Sequence, residues 1–181
     1  MENYFNILTH KQYQGIKFIV FNYDNVRPAG ERLKTFGGYA SGEGAIREMF
    51  TKIAKLLSTK REEQWVTLKP IDALDIATMI AENVISGGVR RSSLIVFCDD
   101  DDDAVIKAKE KIYTINNEGY YIPNATVAHR MLSNNTIVYK NRPTRAQLHE
   151  HFKSIRFTGE PKILGSLNLS NCGKILLGLK Y

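Results

Sequence analysis

Leu94-Ile-Val-Phe97 is a continuous apolar run set between a cationic turn, Gly87-Gly88-Val89-Arg90-Arg91, and five consecutive aspartates, Asp99 to Asp103. This stretch constrains the fold most. A strand with water on one face alternates apolar and polar side chains. A run without alternation suits a strand covered on both faces, as in a parallel sheet whose crossover helices lie on either side. The flanks predict those helices. Pro70 suits a first helical turn, and Leu74, Ala77, Ile80, Ala81 and Val84 form a stripe that stops at Gly87-Gly88. Downstream, Asp101 to Asp103 suit the positive pole of a helix with the body Ala104 to Ile115.

The rest of the chain repeats this alternation. Phe18 to Phe21 reads as a strand leading into a loop at Pro28. A glycine-rich loop follows, and Ser41 then caps a helix whose apolar positions Ile46, Met49, Phe50, Ile53 and Leu57 predict an end near Leu57. Asn134 to Tyr139 reads as a strand, and Thr144 with Gln147 as a capping box for a helix buried along Leu148, Phe152 and Ile155. The tail from Lys162 begins strand-like. Strands alternating with helices predict an α/β fold of parallel units.

At 181 residues the chain suits one domain. No apolar run nears the roughly eighteen residues of a membrane span, and the first residues lack the pattern of a signal peptide. Two cysteines, Cys98 and Cys172, are too few for a disulfide framework and match no metal-ligand spacing. A cytoplasmic setting is expected. The net charge of +6 favours anionic partners. Because the basic residues are scattered, the phosphates of nucleotides are expected rather than direct nucleic-acid binding.

The local motifs are individually ambiguous. The glycines at 37 to 44 lack the Lys-Ser/Thr of a P-loop, yet backbone amides before a helix can seat a phosphate. Arg90 and Arg91 suit either a helix C-terminal pole or an anion. The aspartate run reads as a solvated helix start, because hard cations need carboxylates at alternating positions. His129, His149 and His151 read as surface or edge residues, the last two diverging on a helix.

Several stretches, in order, resemble one family. "VRPAGERLKTFGGYASG", "DALDIATMIAENVISGGVRRSS", "HRMLSNNTIVY" and "FTGEPKILGSLNLS" are similar to the catalytic subunit of ribonucleotide reductases, above all the adenosylcobalamin-dependent ribonucleoside-triphosphate reductases. The resemblance runs from about residue 17 to 175 and leaves 1–16 as a non-matching extension. It implies that 17–181 is a central segment of a ten-stranded α/β barrel, with Arg90 and Arg91 at a strand's mouth. It implies radical reduction at the 2′-carbon of ribonucleotides, for DNA precursor synthesis. In that chemistry a cysteine thiyl is generated from adenosylcobalamin, and a cysteine pair is recharged by a thioredoxin-like reductant.

By the same resemblance, residues 27 to 38 meet an allosteric deoxynucleotide, and residues 122 to 134 link that effector to the substrate base. Arg27, Lys34, Gly37 and Gly38 become candidates for the effector, Arg130 for sensing a base, and Ser133, Asn134, Asn135 and Thr136 for the neighbourhood of the nucleoside triphosphate substrate. The chemistry itself is missing from the pattern. Cys172 lacks the proline and acid of the thiyl motif, and Cys98 falls where the family has a loop residue. The chain is therefore expected to be inactive alone, with no cofactor site of its own, and to work with complementary reductase fragments. The alternatives are a stand-alone nucleotide-binding module and a non-functional remnant.

Overall fold

A computed structural model describes residues 18–34, 37–62, 68–83, 85–86, 89–90 and 94–165. The expectations for 1–16, Val84, Arg91, Cys172 and the tail beyond Gly165 lie outside the described residues, as does the side chain of Arg90.

Among the described residues, two helices come first. α1, Glu43–Glu62, runs past Leu57. It starts after Gly42 rather than Ser41, and Gly42 has φ +74°, with a Cβ there meeting Ala29 Cβ at 2.8 Å. Only glycine lets the loop return this closely. α1 buries Met49 and Ile53 against Ile76 and Met79 of α2, Pro70–Glu82. The stretch Phe18 to Phe21 is not a strand. Ile19 and Phe21 pack on the α1 cluster while Phe18 and Val20 stay exposed, so the alternation covers a helix instead of feeding a ladder.

α2 is covered on more than one side. Leu74 and Ala81 are buried as expected, but so are Ile76, Thr78, Met79, Asp72 and Asp75. Leu74 joins the sheet core while Ile76 and Met79 face α1. The helix ends at Glu82, well before the glycine pair. Residues 85–86 (β1, Ile85–Ser86) instead pair antiparallel with β2, Val89–Arg90.

Among the described residues the main sheet has three parallel strands, β3 (Leu94–Asp99), β6 (Ser133–Tyr139) and β7 (Lys162–Gly165), in the order β3-β6-β7. Alternation fixes two faces. Val96, Cys98, Ile137 and Tyr139 take part in the core with Leu74, Val105 and Ile106. The opposite face carries Ile95 and Phe97, 61% and 52% exposed. β3 is therefore covered on one face only, against the expectation of two. Its apolar run fills a face that the described residues leave open.

The helix expected over Ala104 to Ile115 is cut short. α3 spans Asp103–Ile106, with Asp102 Oδ1 accepting from the Val105 amide. The chain then turns into a hairpin of β4 (Tyr113–Ile115) and β5 (Tyr121–Pro123). Asn116 Oδ1 accepts from the Glu118 and Tyr120 amides at the hairpin turn. That side-chain turn and the β-forming Ile-Tyr-Thr-Ile run outcompete the helix. Asn124, at the hairpin's other end, closes its base through Lys111 O and Ile112 O.

A 3-10 helix, Ala128–Leu132, leads into β6, and α4, Arg145–Thr158, returns the chain to β7. The capping box holds: Thr144 Oγ1 accepts from the Gln147 amide at 3.2 Å, and Gln147 Oε1 accepts from the Thr144 amide at 2.9 Å. The buried stripe of α4 is rotated from the expected one. Phe152 is exposed, Leu148 and Ile155 are half-buried, and His151 and Ser154 are the buried pair. His151 Nδ1 bonds the Tyr139 hydroxyl and Ser154 Oγ donates to Glu110. These partners are what make the polar face buriable.

Candidate functional site

Buried charges converge where the chain enters β6. Asp75, on α2, accepts from Arg130 Nε at 2.6 Å and Nη2 at 2.8 Å, and His129 Nε2 lies 3.0 Å from Asp75 Oδ1. Burial alone would push the Asp75 carboxyl up. The hydrogen bonds and charges of Arg130 and His129 outweigh it and hold the group below its ordinary value. The third guanidinium nitrogen, Nη1, donates to Ala108 O at 2.9 Å. Such a two-pronged arginine–carboxylate contact fixes geometry as well as charge.

A second charged pair adjoins it. Lys109 Nζ donates to Glu160 Oε2 at 2.6 Å and also to Ser133 O, and the same Glu160 oxygen accepts from the Asn135 amide at 3.0 Å. Ser133 Oγ donates to Asn135 Oδ1 at 2.8 Å. The substrate-side candidates thus divide. Ser133 and Asn135 are locked into this buried network on the helix-covered face. Asn134, half-buried, and Thr136, buried, lie on the face shared with Ile95 and Phe97, since Ile95 pairs with Asn134 and Phe97 with Thr136.

The effector-side candidates sit on a separate loop. Arg27 Nε lies 3.4 Å from Glu31 Oε1 with both side chains about half exposed, and Lys34 is exposed. Gly37 and Gly38 have φ of 68° and 76°. The loop folds back on itself through Leu33 N to Gly38 O at 2.9 Å and Ala40 N to Glu31 O at 2.8 Å. The segment before the loop meets α1 through Phe21, whose ring stacks on Phe50 at 4.6 Å, and Tyr23, with Arg47 4.2 Å above its ring.

His129 and His151 are buried network members, not the surface or edge residues their spacing implied, while His149 is exposed. The carboxylates Asp75 and Glu160 and the amine of Lys109 were not anticipated. A signal existed for Asp75: it falls among apolar positions of α2, where an acid needs a partner. Cys98 lies on β3, not in a loop. Burial, then Asp102 and Asp99, push its thiol up to about 11, and its Sγ lies 3.6 Å from Thr136 O. Among the described residues no group of side chains has the make-up of a metal site, and no helix is long and apolar enough to cross a membrane.

Comparison with known proteins yields consistent relatives. The adenosylcobalamin-dependent ribonucleoside-triphosphate reductase of Lactobacillus acidophilus is 31% identical over 164 residues, covering 88% of this chain and 19% of its own. That of Lacticaseibacillus paracasei is 34% identical over 119 residues, covering 66% of this chain and 14% of its own. That of Levilactobacillus brevis is 31% identical over 162 residues, 88% of this chain and 19% of its own. The chain therefore spans about a fifth of the length of these relatives. No family model and no solved structure matches it.

Proposed function

From a chain similar along most of its length to one segment of adenosylcobalamin-dependent ribonucleoside-triphosphate reductases, we propose that it is the specificity segment of such an enzyme. It contributes the effector loop and one substrate-facing strand, and complementary reductase fragments supply the rest. The observation that carries this reading is the extent of the match, 88% of the chain at 31% identity. The parallel order β3-β6-β7 and the open Ile95–Phe97 face support the further step that these strands are an arc of a ten-stranded barrel. In this reading 17–181 is the barrel segment and 1–16 an extension.

Within that reading each candidate has a place. Arg27, Lys34 and the amides around Gly37 and Gly38 bind the phosphates of a deoxynucleotide effector. Asn134 and Thr136 face the nucleoside triphosphate substrate, and Ser133 and Asn135 hold the strand in register. Arg130 acts at the base-sensing end of the connecting segment by fixing its position, since its guanidinium is committed to Asp75 and Ala108.

The described residues do not fit adenosylcobalamin. Cofactor-driven radical chemistry needs a thiol that faces the cofactor, whereas Cys98 is 8% exposed and packed into the helix-covered core. No step through the cofactor is assigned to this chain, and a thioredoxin-like reductant serves only the assembled enzyme.

Co-expression with the segments of the Lactobacillus acidophilus reductase that flank the match tests the assignment. The expected result is adenosylcobalamin-dependent ribonucleoside-triphosphate reduction by the assembly and none by the 181-residue chain. An assembly that forms but shows no reduction refutes it.

A further inference from the structure

The two candidate regions are joined by an unbroken series of contacts. The glycine-rich loop closes on itself where Ala29 meets Gly42 and runs directly into α1. The segment before it rests on α1 through the Phe21–Phe50 stack, and α1 is tied to α2 by Lys52 Nζ and Glu82 Oε2 at 2.9 Å as well as by the apolar cluster between them. α2 then grips the 3-10 helix through Asp75, whose carboxylate holds both His129 and Arg130. The Ser133 backbone amide donates back to Arg130 O, so the grip continues into the first residue of β6. Apolar contacts can slide. A buried two-pronged ion pair has one arrangement and resists shear.

We propose that Asp75 is a positioning residue that makes α2 and the entry to β6 one mechanical unit, so that a change at the glycine-rich loop shifts Asn134 and Thr136. This deepens the functional reading above and rests on it for the meaning of those two residues, since it supplies the path by which an occupied effector loop adjusts the substrate face. A path of this kind transmits only if its links move together, and coupling has to be measured rather than inferred from proximity.

The test therefore uses a perturbation that needs no ligand. Gly42→Ala forces a Cβ against Ala29 in a backbone conformation that favours glycine. In amide correlation spectra of the full chain, Gly42→Ala should shift the resonances of Ser133 to Thr136 when Asp75 is present. In an Asp75→Asn background those distant shifts should shrink severalfold, while the shifts at residues 29–33 remain. Equal distant shifts in both backgrounds, or none in either, overturn the proposal. If Asp75→Asn does not fold, Arg130→Lys, which keeps the charge and loses the fork, is read by the same criteria. Phe50→Leu replaces Gly42→Ala as the perturbation on the same condition. Failure of the chain to bind nucleotides counts against the functional reading and leaves this comparison intact.

Discussion

Replacing Asp75 by asparagine leaves Arg130 and His129 in place and takes away the charge that makes them buriable. Because breaking a buried pair strands the partner's charge, the loss should be about 3–5 kcal/mol, read from urea unfolding at neutral pH. The native carboxyl sits below its ordinary value. Its stabilising contribution is therefore fully present above the unfolded value of about 3.9 and disappears as pH falls through the native one. Wild-type stability should drop along that acid limb, and the limb should flatten in Asp75→Asn. An unchanged acid limb would remove Asp75 from the account. Cys98 makes the opposite case. With its thiol pushed up to about 11 and its side chain in the core, it is a poor nucleophile and a shielded one. Peptide mapping after brief iodoacetamide treatment at pH 8 should leave Cys98 unmodified in the native chain and label it fully in urea. Residues of both kinds are hard to read from a sequence, because a buried acid and a surface acid are written alike until the partner, 55 positions away in the case of Arg130, is brought alongside.

Local chemistry was legible where the signal and its partner lie within one turn. Thr144 and Gln147 stand three residues apart and form the box their spacing predicts. Thr144→Ala should cost about 1 kcal/mol, measured by thermal or urea unfolding, and a neutral result would show that the α4 start is held by packing instead. Periodicity was less reliable. On α4 it selected Phe152 for burial, yet the structure buries His151 and Ser154, whose cross-element bonds to Tyr139 and Glu110 no spacing rule reveals. The run after Ile106 failed for a related reason: Lys-Ala-Lys-Glu-Lys is good helix sequence, but Asn116 and the β-branched stretch before it favour a turn and a strand. The resulting hairpin presents Tyr113, Ile115 and Tyr121 to solvent, the last 76% exposed. Tyr121→Lys should therefore change the stability of the chain by less than about 0.5 kcal/mol. A loss several times larger would mean that the hairpin face is covered in solution.

At the scale of the molecule, alternation of strand and helix foretold a parallel sheet, and the order β3-β6-β7 agrees with it. The closure of that sheet was not legible, because closure depends on which strands are available and not on any one strand's pattern. Leu94-Ile-Val-Phe97 illustrates the point. Its lack of alternation predicts burial on both faces, whereas the described structure covers Val96 and leaves Ile95 and Phe97 more than half exposed. The sequence pattern and the isolated fold thus disagree over a single face, and the disagreement has a physical consequence. Two large apolar side chains on a sheet face favour association, and β3 pairs only with β6 among the described strands, so it also offers hydrogen-bonding groups along its other edge. The chain on its own should therefore self-associate with rising concentration in sedimentation velocity. Ile95→Lys with Phe97→Lys should shift it towards monomer without lowering its unfolding midpoint, since neither side chain is part of the core. If the double variant unfolds at markedly lower urea while the parent is already monomeric, that face is an internal one and β3 is buried as its sequence first implied.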